Sequence, residues 1–219
     1  MAACAGTAAR RGAGAYTGGM EAAMIARLKV TLDDVAPAVL RRIEVPFSIT
    51  LDRLHQTIQA AMGWTNSHLY DFHVEGISWG IPDPDAGARD VLNARKTRLS
   101  DVVEDVGCRR LTYLYDFGDG WEHTVKIERV TEAESGVSYP RLTGASGRCP
   151  PEDIGGPWGY AEFLEALRDP GHERREDFAY FVESGFDPEA VDMDGLAKAV
   201  AALAKRWSRT PAKRVARPA

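Results

Sequence analysis

Tyr113-Leu114-Tyr115-Asp116-Phe117-Gly118-Asp119-Gly120-Trp121-Glu122-His123 brings two strand-like runs to a glycine-rich turn. Asp119-Gly120 tolerates the positive φ angles of a tight hairpin. The flanks, Leu111 to Phe117 and Trp121 to Val130, are rich in aromatic and β-branched residues. With that dipeptide at the centre of a two- or four-residue loop, Asp116 falls opposite His123, Thr112 opposite Ile127 and Leu114 opposite Val125. A three-residue loop with a bulge would break this register. A carboxylate beside an imidazole can orient the ring for base catalysis or hold it as a metal ligand. It can also simply bond across the strands, which is the plainest reading.

Upstream, Ile25 to Leu32 alternates between apolar and polar residues. Val39 to Val45 follows after a turn containing Pro37, so the two runs predict a second hairpin. Thr50 caps a predicted helix carrying Leu51, Leu54, Ile58, Ala61 and Met62 on one face and closing at Gly63, with His55 partly exposed on its flank. His68 to Gly76 reads as a strand with Tyr70, Phe72 and Val74 on one side. Pro82 to Lys96 is loop-like, and Ser100 caps a short helix ending near Val106. Downstream, Ser138 to Trp158 contains Cys149-Pro150-Pro151-Glu152-Asp153-Ile154-Gly155-Gly156 and is expected to be irregular. Amphipathic helices are expected over Tyr160 to Arg168, Glu173 to Val182 and Met193 to Trp207.

These elements predict an α+β fold: a mixed or antiparallel sheet of ββαβββ type with one helix packed on it, followed by a C-terminal helical subdomain. One domain is expected over 24–204, its sheet part reaching about 145 and its helical part spanning about 158–204. Residues 1–23 are Ala/Gly-rich without apolar periodicity and are expected to be a disordered leader, with Met24 as the natural start. Residues 205–219 form a basic tail with Lys205, Arg206, Arg209, Lys213, Arg214 and Arg217 and no acid, although the chain as a whole carries −5. The body is therefore acidic and repels phosphate backbones, so nucleic acid could be met only through the tail.

No apolar run approaches the roughly 20 residues of a membrane span, and no membrane association is expected. Cys4, Cys108 and Cys149 are odd in number and far apart, which argues against a disulfide framework or a four-cysteine zinc site and for a cytoplasmic location.

Four ordered segments, Leu40 to Pro46, Trp64 with His68 to Phe72, Tyr115 to His123, and Cys149 to Gly156, resemble the plasmid pRiA4b ORF-3-like family over roughly Met24 to Leu203. The resemblance implies a compact α+β domain without established biochemistry, of a kind labelled as TnpR-like passenger proteins of insertion elements. Its pattern commonly has a second cysteine where this chain has Ile154, which weakens any paired-thiol site. Recombinase chemistry would need a nucleophilic serine near the start, an arginine cluster and a basic recognition helix, whereas this chain has an acidic body and no helix-turn-helix signature.

The leading functional expectation is a non-catalytic binding or adaptor domain for a protein or small-molecule partner, associated with mobile elements. Its ligand would be held by Asp116, Asp119, Trp121, His123, Glu152 and Asp153. A metal-dependent hydrolase is the alternative, in which a divalent cation would take Asp116 and His123, with His68 and Cys149 as further donors. Nucleic-acid association through residues 205–219 is the third.

Overall fold

The computed structural model describes residues 23–82 and 91–208. Alternation builds its first hairpin. β1 (Met24–Leu32) sends Ala26, Leu28, Val30 and Leu32 inward and pairs antiparallel with β2 (Val39–Pro46). α1 (Leu51–Met62) buries the apolar stripe its spacing predicts and ends at Gly63, where φ is 85° and the N–H donates to the Gln59 carbonyl. Thr50 precedes it, but its hydroxyl donates to the Asp52 carboxylate (2.6 Å) and caps no backbone N–H. His55 is buried rather than partly exposed, stacked 3.6 Å from the Tyr70 ring.

β3 (Tyr70–Val74) points Tyr70, Phe72 and Val74 into the core. It stops short of the predicted end because Glu75 (φ 51°) and Gly76 (φ 82°) turn the chain back as β4 (Ile77–Gly80), a strand the sequence reading lacked. β5 (Val91–Asn93) lies parallel to β4 and is too short to show a period. α2 (Leu99–Val106) has Arg98 rather than Ser100 at its N-cap, with the Asp101 carboxylate accepting the Arg98 N–H at 3.1 Å.

β6 (Arg110–Tyr115) and β7 (Trp121–Glu132) form the predicted central hairpin, but in a different register. Tyr115 pairs with Trp121, Tyr113 with His123, and Leu111 with Val125. The pairing of Asp116 with His123 is therefore corrected. The chain leaves β6 after Tyr115 and closes over the loop 116–120, with Asp116 at φ 57° and Gly120 at φ 69°. Asp116 itself supplies a left-handed residue, so Asp119-Gly120 is not the centre of the turn.

β8 (Arg141–Ser146) lies within the stretch expected to be irregular and pairs with β2. Ions hold this edge strand, with little help from apolar alternation: Arg27 (2.6 Å) and Arg141 (2.6 Å) both close on the buried Glu44 carboxylate of β2. The sheet has eight strands in the order β5-β4-β3-β6-β7-β1-β2-β8, antiparallel except for β4 and β5. The fold is α+β, as expected, with a wider sheet.

α3 (Gly156–Arg168) begins earlier than predicted, α4 (Ala179–Glu183) keeps only the end of the predicted second helix, and α5 (Met193–Ser208) matches the third. Lys205 and Arg206, assigned to the tail, lie in α5. One apolar cluster runs from Ala26 in β1 to Val200 in α5. Among the described residues no helix is long and apolar enough to cross a membrane. Residues 1–22 of the expected leader, 83–90 of the expected loop and 209–219 of the expected tail lie outside the described residues.

Candidate functional site

Three loops meet beyond the end of β6: residues 63–69 after α1, the hairpin loop 116–120, and the proline-glycine loop 149–155. Tyr115 joins them. Its hydroxyl donates to Glu152 Oε1 (2.6 Å) and accepts the N–H groups of Ser67 (3.1 Å) and His68 (3.4 Å). Glu152 Oε2 in turn accepts the Thr65 N–H (2.8 Å) and hydroxyl (2.6 Å), and the Trp64 indole N–H donates to the Pro150 carbonyl at 2.9 Å. The Gly155 N–H reaches Asp119 Oδ2 at 3.3 Å. Next to it, a Cβ on Gly156 would stand 2.1 Å from the Asp119 carbonyl oxygen, so the two loops touch backbone to backbone.

His68, Asp116 and Asp153 converge in this junction. His68 Nδ1 lies 3.6 Å from Asp116 Oδ2, and its Nε2 lies 3.2 Å from Asp153 Oδ1 without forming a hydrogen bond there. One donor atom from each of the three residues lies within 4.8 Å of the others. Asp116 Oδ1 accepts the Gly118 (3.0 Å) and Asp119 (3.4 Å) N–H groups, which turns Oδ2 toward the ring. Exposure grades outward, with the side chains of Asp116, His68 and Asp153 at 11 %, 28 % and 74 %. A divalent ion bound at ~2.1 Å holds its donors roughly 3–3.5 Å apart. Asp116 faces one ring nitrogen and Asp153 the other, and one ion takes only one of them, so closing the set asks the ring or a carboxylate to shift.

The backbone marks the same place. Asn66 (φ 62°), Asp116 (φ 57°) and Asp153 (φ 59°) are three of the five non-glycine residues with positive φ among those described, and one comes from each loop. Left-handed Asn and Asp are tolerated because their short side chains bond locally, and such residues cluster at functional sites.

The predicted residues divide accordingly. Asp116, Asp153 and His68 form the cluster, Glu152 is taken up by three bonds, and Asp119 ties the loops together. Trp121 is fully buried, 5.8 Å from the Trp64 ring, as a core side chain rather than a ligand wall. His123 is also fully buried, and its Nδ1–H donates to the carbonyls of Tyr113 (3.2 Å) and Trp121 (3.1 Å). Burial pushes its pKa down to about 4, so it stays neutral in the core, outside the cluster. Cys149 stands apart from the cluster as well, and burial pushes its thiol pKa up. The sequence reading missed Tyr115 and Thr65 as supports. Tyr115 lies inside a segment it singled out, next to Asp116, and Thr65 falls between the quoted Trp64 and His68, so closeness in sequence to those residues was the available signal.

The sequence profile of the family described as plasmid pRiA4b ORF-3-like protein matches residues 24–195. The uncharacterized protein y4hQ of Sinorhizobium fredii is 52% identical over 188 residues, 85% of this chain and 96% of that protein. The crystal structure of MM3350, a protein of unknown function from Methanosarcina mazei Go1, is similar with a TM-score of 0.71 and 33% identity. The match covers 80% of this chain and 98% of that one.

Proposed function

The chain belongs to the plasmid pRiA4b ORF-3-like family, and within that family we propose that it is a binding module whose three-loop junction takes a divalent cation through His68, Asp116 and Asp153. The observation that carries this reading is the convergence of one imidazole and two carboxylates within 4.8 Å. One nitrogen and two oxygens suit a borderline ion such as Zn2+ or Mn2+, and three protein donors leave coordination positions for a partner's own oxygen or nitrogen. Binding is favoured over hydrolysis because general-base help to a bound water would have to come from a neighbouring acid. The nearest acids are occupied, Glu152 by Tyr115 and Thr65 and Asp119 by Gly155. A link to mobile elements enters this reading only through the family resemblance.

Metal content and calorimetric titration with Zn2+ and Mn2+ test it on the full chain. The parent should bind one ion per chain, and His68→Ala should weaken binding at least about tenfold, the scale of a lost ligand. His73→Ala, whose ring pairs with Asp71 instead, should leave binding unchanged. Equal affinity in His68→Ala and the parent would remove the reading.

A further inference from the structure

A half-open cavity of about 780 Å³ lies between the 148–152 segment and the C-terminal helices, within the size range of small-molecule sites. Its charges are unequally matched. The two carboxylates on its wall already serve the chain: Glu152 accepts from Tyr115 and Thr65, and Asp192 accepts the Gly195 N–H at 2.9 Å at the start of α5. The two guanidiniums on the wall have no carboxylate within ion-pair distance among the described residues.

Arg41 is the decisive one, because it is 1 % exposed and buried cations are normally paired. Its Nε donates to the Ala61 carbonyl (2.7 Å), and Nη1 to those of Leu40 (2.8 Å), Ser146 (2.9 Å) and Gly147 (3.0 Å). Ala61 belongs to the last turn of α1, so the helix end offers partial negative charge. Four carbonyls satisfy hydrogen bonds but supply no full counter-charge. Cys149, beside Arg41, cannot serve, since burial keeps it a neutral thiol. Arg148, the second guanidinium, lies 4.5 Å over the Phe186 ring at the rim. Between them the wall is apolar, with Trp64, Phe181, Phe186 and Leu196.

We propose that this cavity binds a small organic acid, its carboxylate received by Arg41 and Arg148 and its apolar body packed against Trp64, Phe181 and Phe186. The Arg148 guanidinium can meet a carboxylate as a fork, in geometry as well as charge, while Arg41, whose Nε and Nη1 are held by carbonyls, adds its buried charge. The site is separate from the cation cluster and does not depend on it.

Titration calorimetry on the full chain, with phenylacetate, phenylacetamide and inorganic phosphate as probes, tests this. Phenylacetate should bind at least about tenfold more tightly than its neutral amide and more tightly than phosphate. Arg148→Gln should weaken the acid several-fold and leave the amide unchanged. Arg41→Met removes the carbonyl bonds too and risks the fold, so the comparison of acid with amide on the parent protein carries the test. Equal binding of acid and amide, no binding of either, phosphate matching the acid, or an Arg148→Gln variant indistinguishable from the parent would each overturn the proposal.

Discussion

Asp116 holds three roles at once. It adopts a left-handed backbone, its Oδ1 accepts two loop N–H groups, and its Oδ2 faces His68 at 3.6 Å. Asparagine tolerates the same φ and keeps an acceptor oxygen for the turn. Asp116→Asn therefore separates charge from conformation. The melting temperature should stay within about 3 °C of the parent, roughly 1 kcal/mol for a chain of this size, while Zn2+ affinity falls at least about tenfold. A variant that binds metal as the parent does would show that the carboxylate is not a ligand. The sequence made Asp116 visible but misidentified its imidazole. Choosing between His123 and His68 depended on how many residues close the hairpin, and a left-handed Asp in the loop moved the ladder by an odd number of positions. An odd shift changes which face of β6 is met: His123 shares the buried side of β7 with Val125 and Ile127, and there it meets Tyr113 instead of Asp116.

Local periodicity identified β1, β2, α1, β3, the central hairpin and α5, because each buries an apolar face at its own period. β4, β5 and β8 escaped because pairing and ions define them. β8 depends on Arg141 reaching Glu44 and on Gly147, where a Cβ would stand 2.5 Å from the Ala38 carbonyl oxygen. The loop junction is a middle case: the sequence reading grouped Glu152 and Asp153 with Asp116 and Asp119, but nothing in Cys149 to Gly156 announces the backbone contact itself. Gly156 makes that contact possible, with φ 69° and room for no Cβ against Asp119. Gly156→Ala should separate the two loops and displace Asp153. The expected result is a destabilisation of about 2 kcal/mol, from backbone strain plus the forced shift, with weaker Zn2+ binding measured in the same sample. Urea unfolding of parent and variant gives the first number, and coincident curves would mean that the loops do not need this contact.

Acidification brings the buried groups into play together. His55 and His123 lie in one aromatic layer with Tyr70, Tyr113 and Trp64. The bonding of His55 suits a neutral ring: Nε2–H donates to Asn66 Oδ1, and the Tyr113 hydroxyl, which accepts from Gln59, has its own proton to give to Nδ1. Burial is the leading cause that pushes both pKa values down to about 4, from 6.5 in an unfolded chain. For a histidine depressed in the folded state, the unfolded chain takes up the proton first. Its contribution to stability is complete above pH ~6.5 and is lost as pH falls toward ~4, at up to ~1.4 kcal/mol per pH unit and ~3 kcal/mol in all for each ring. Glu44 extends the loss to lower pH. Burial works to raise its pKa, but the bonds from Arg27 and Arg141 outweigh this and hold it below 4.5, so its contribution fades as pH drops through that range. Two effects oppose: Asp33, raised mainly by burial, and relief of repulsion in a molecule of net charge −5. The first concerns a partly exposed group, and the second is spread over a surface screened beyond ~8 Å at physiological salt. Neither matches two buried rings. The urea midpoint should therefore fall steadily from pH 7 to 4.5, with an uptake approaching two protons on unfolding. His123→Gln, which keeps a donor for the Tyr113 and Trp121 carbonyls, should halve that slope. A midpoint that is flat over this range would mean that water reaches these rings and that the layer is not the closed core its geometry describes.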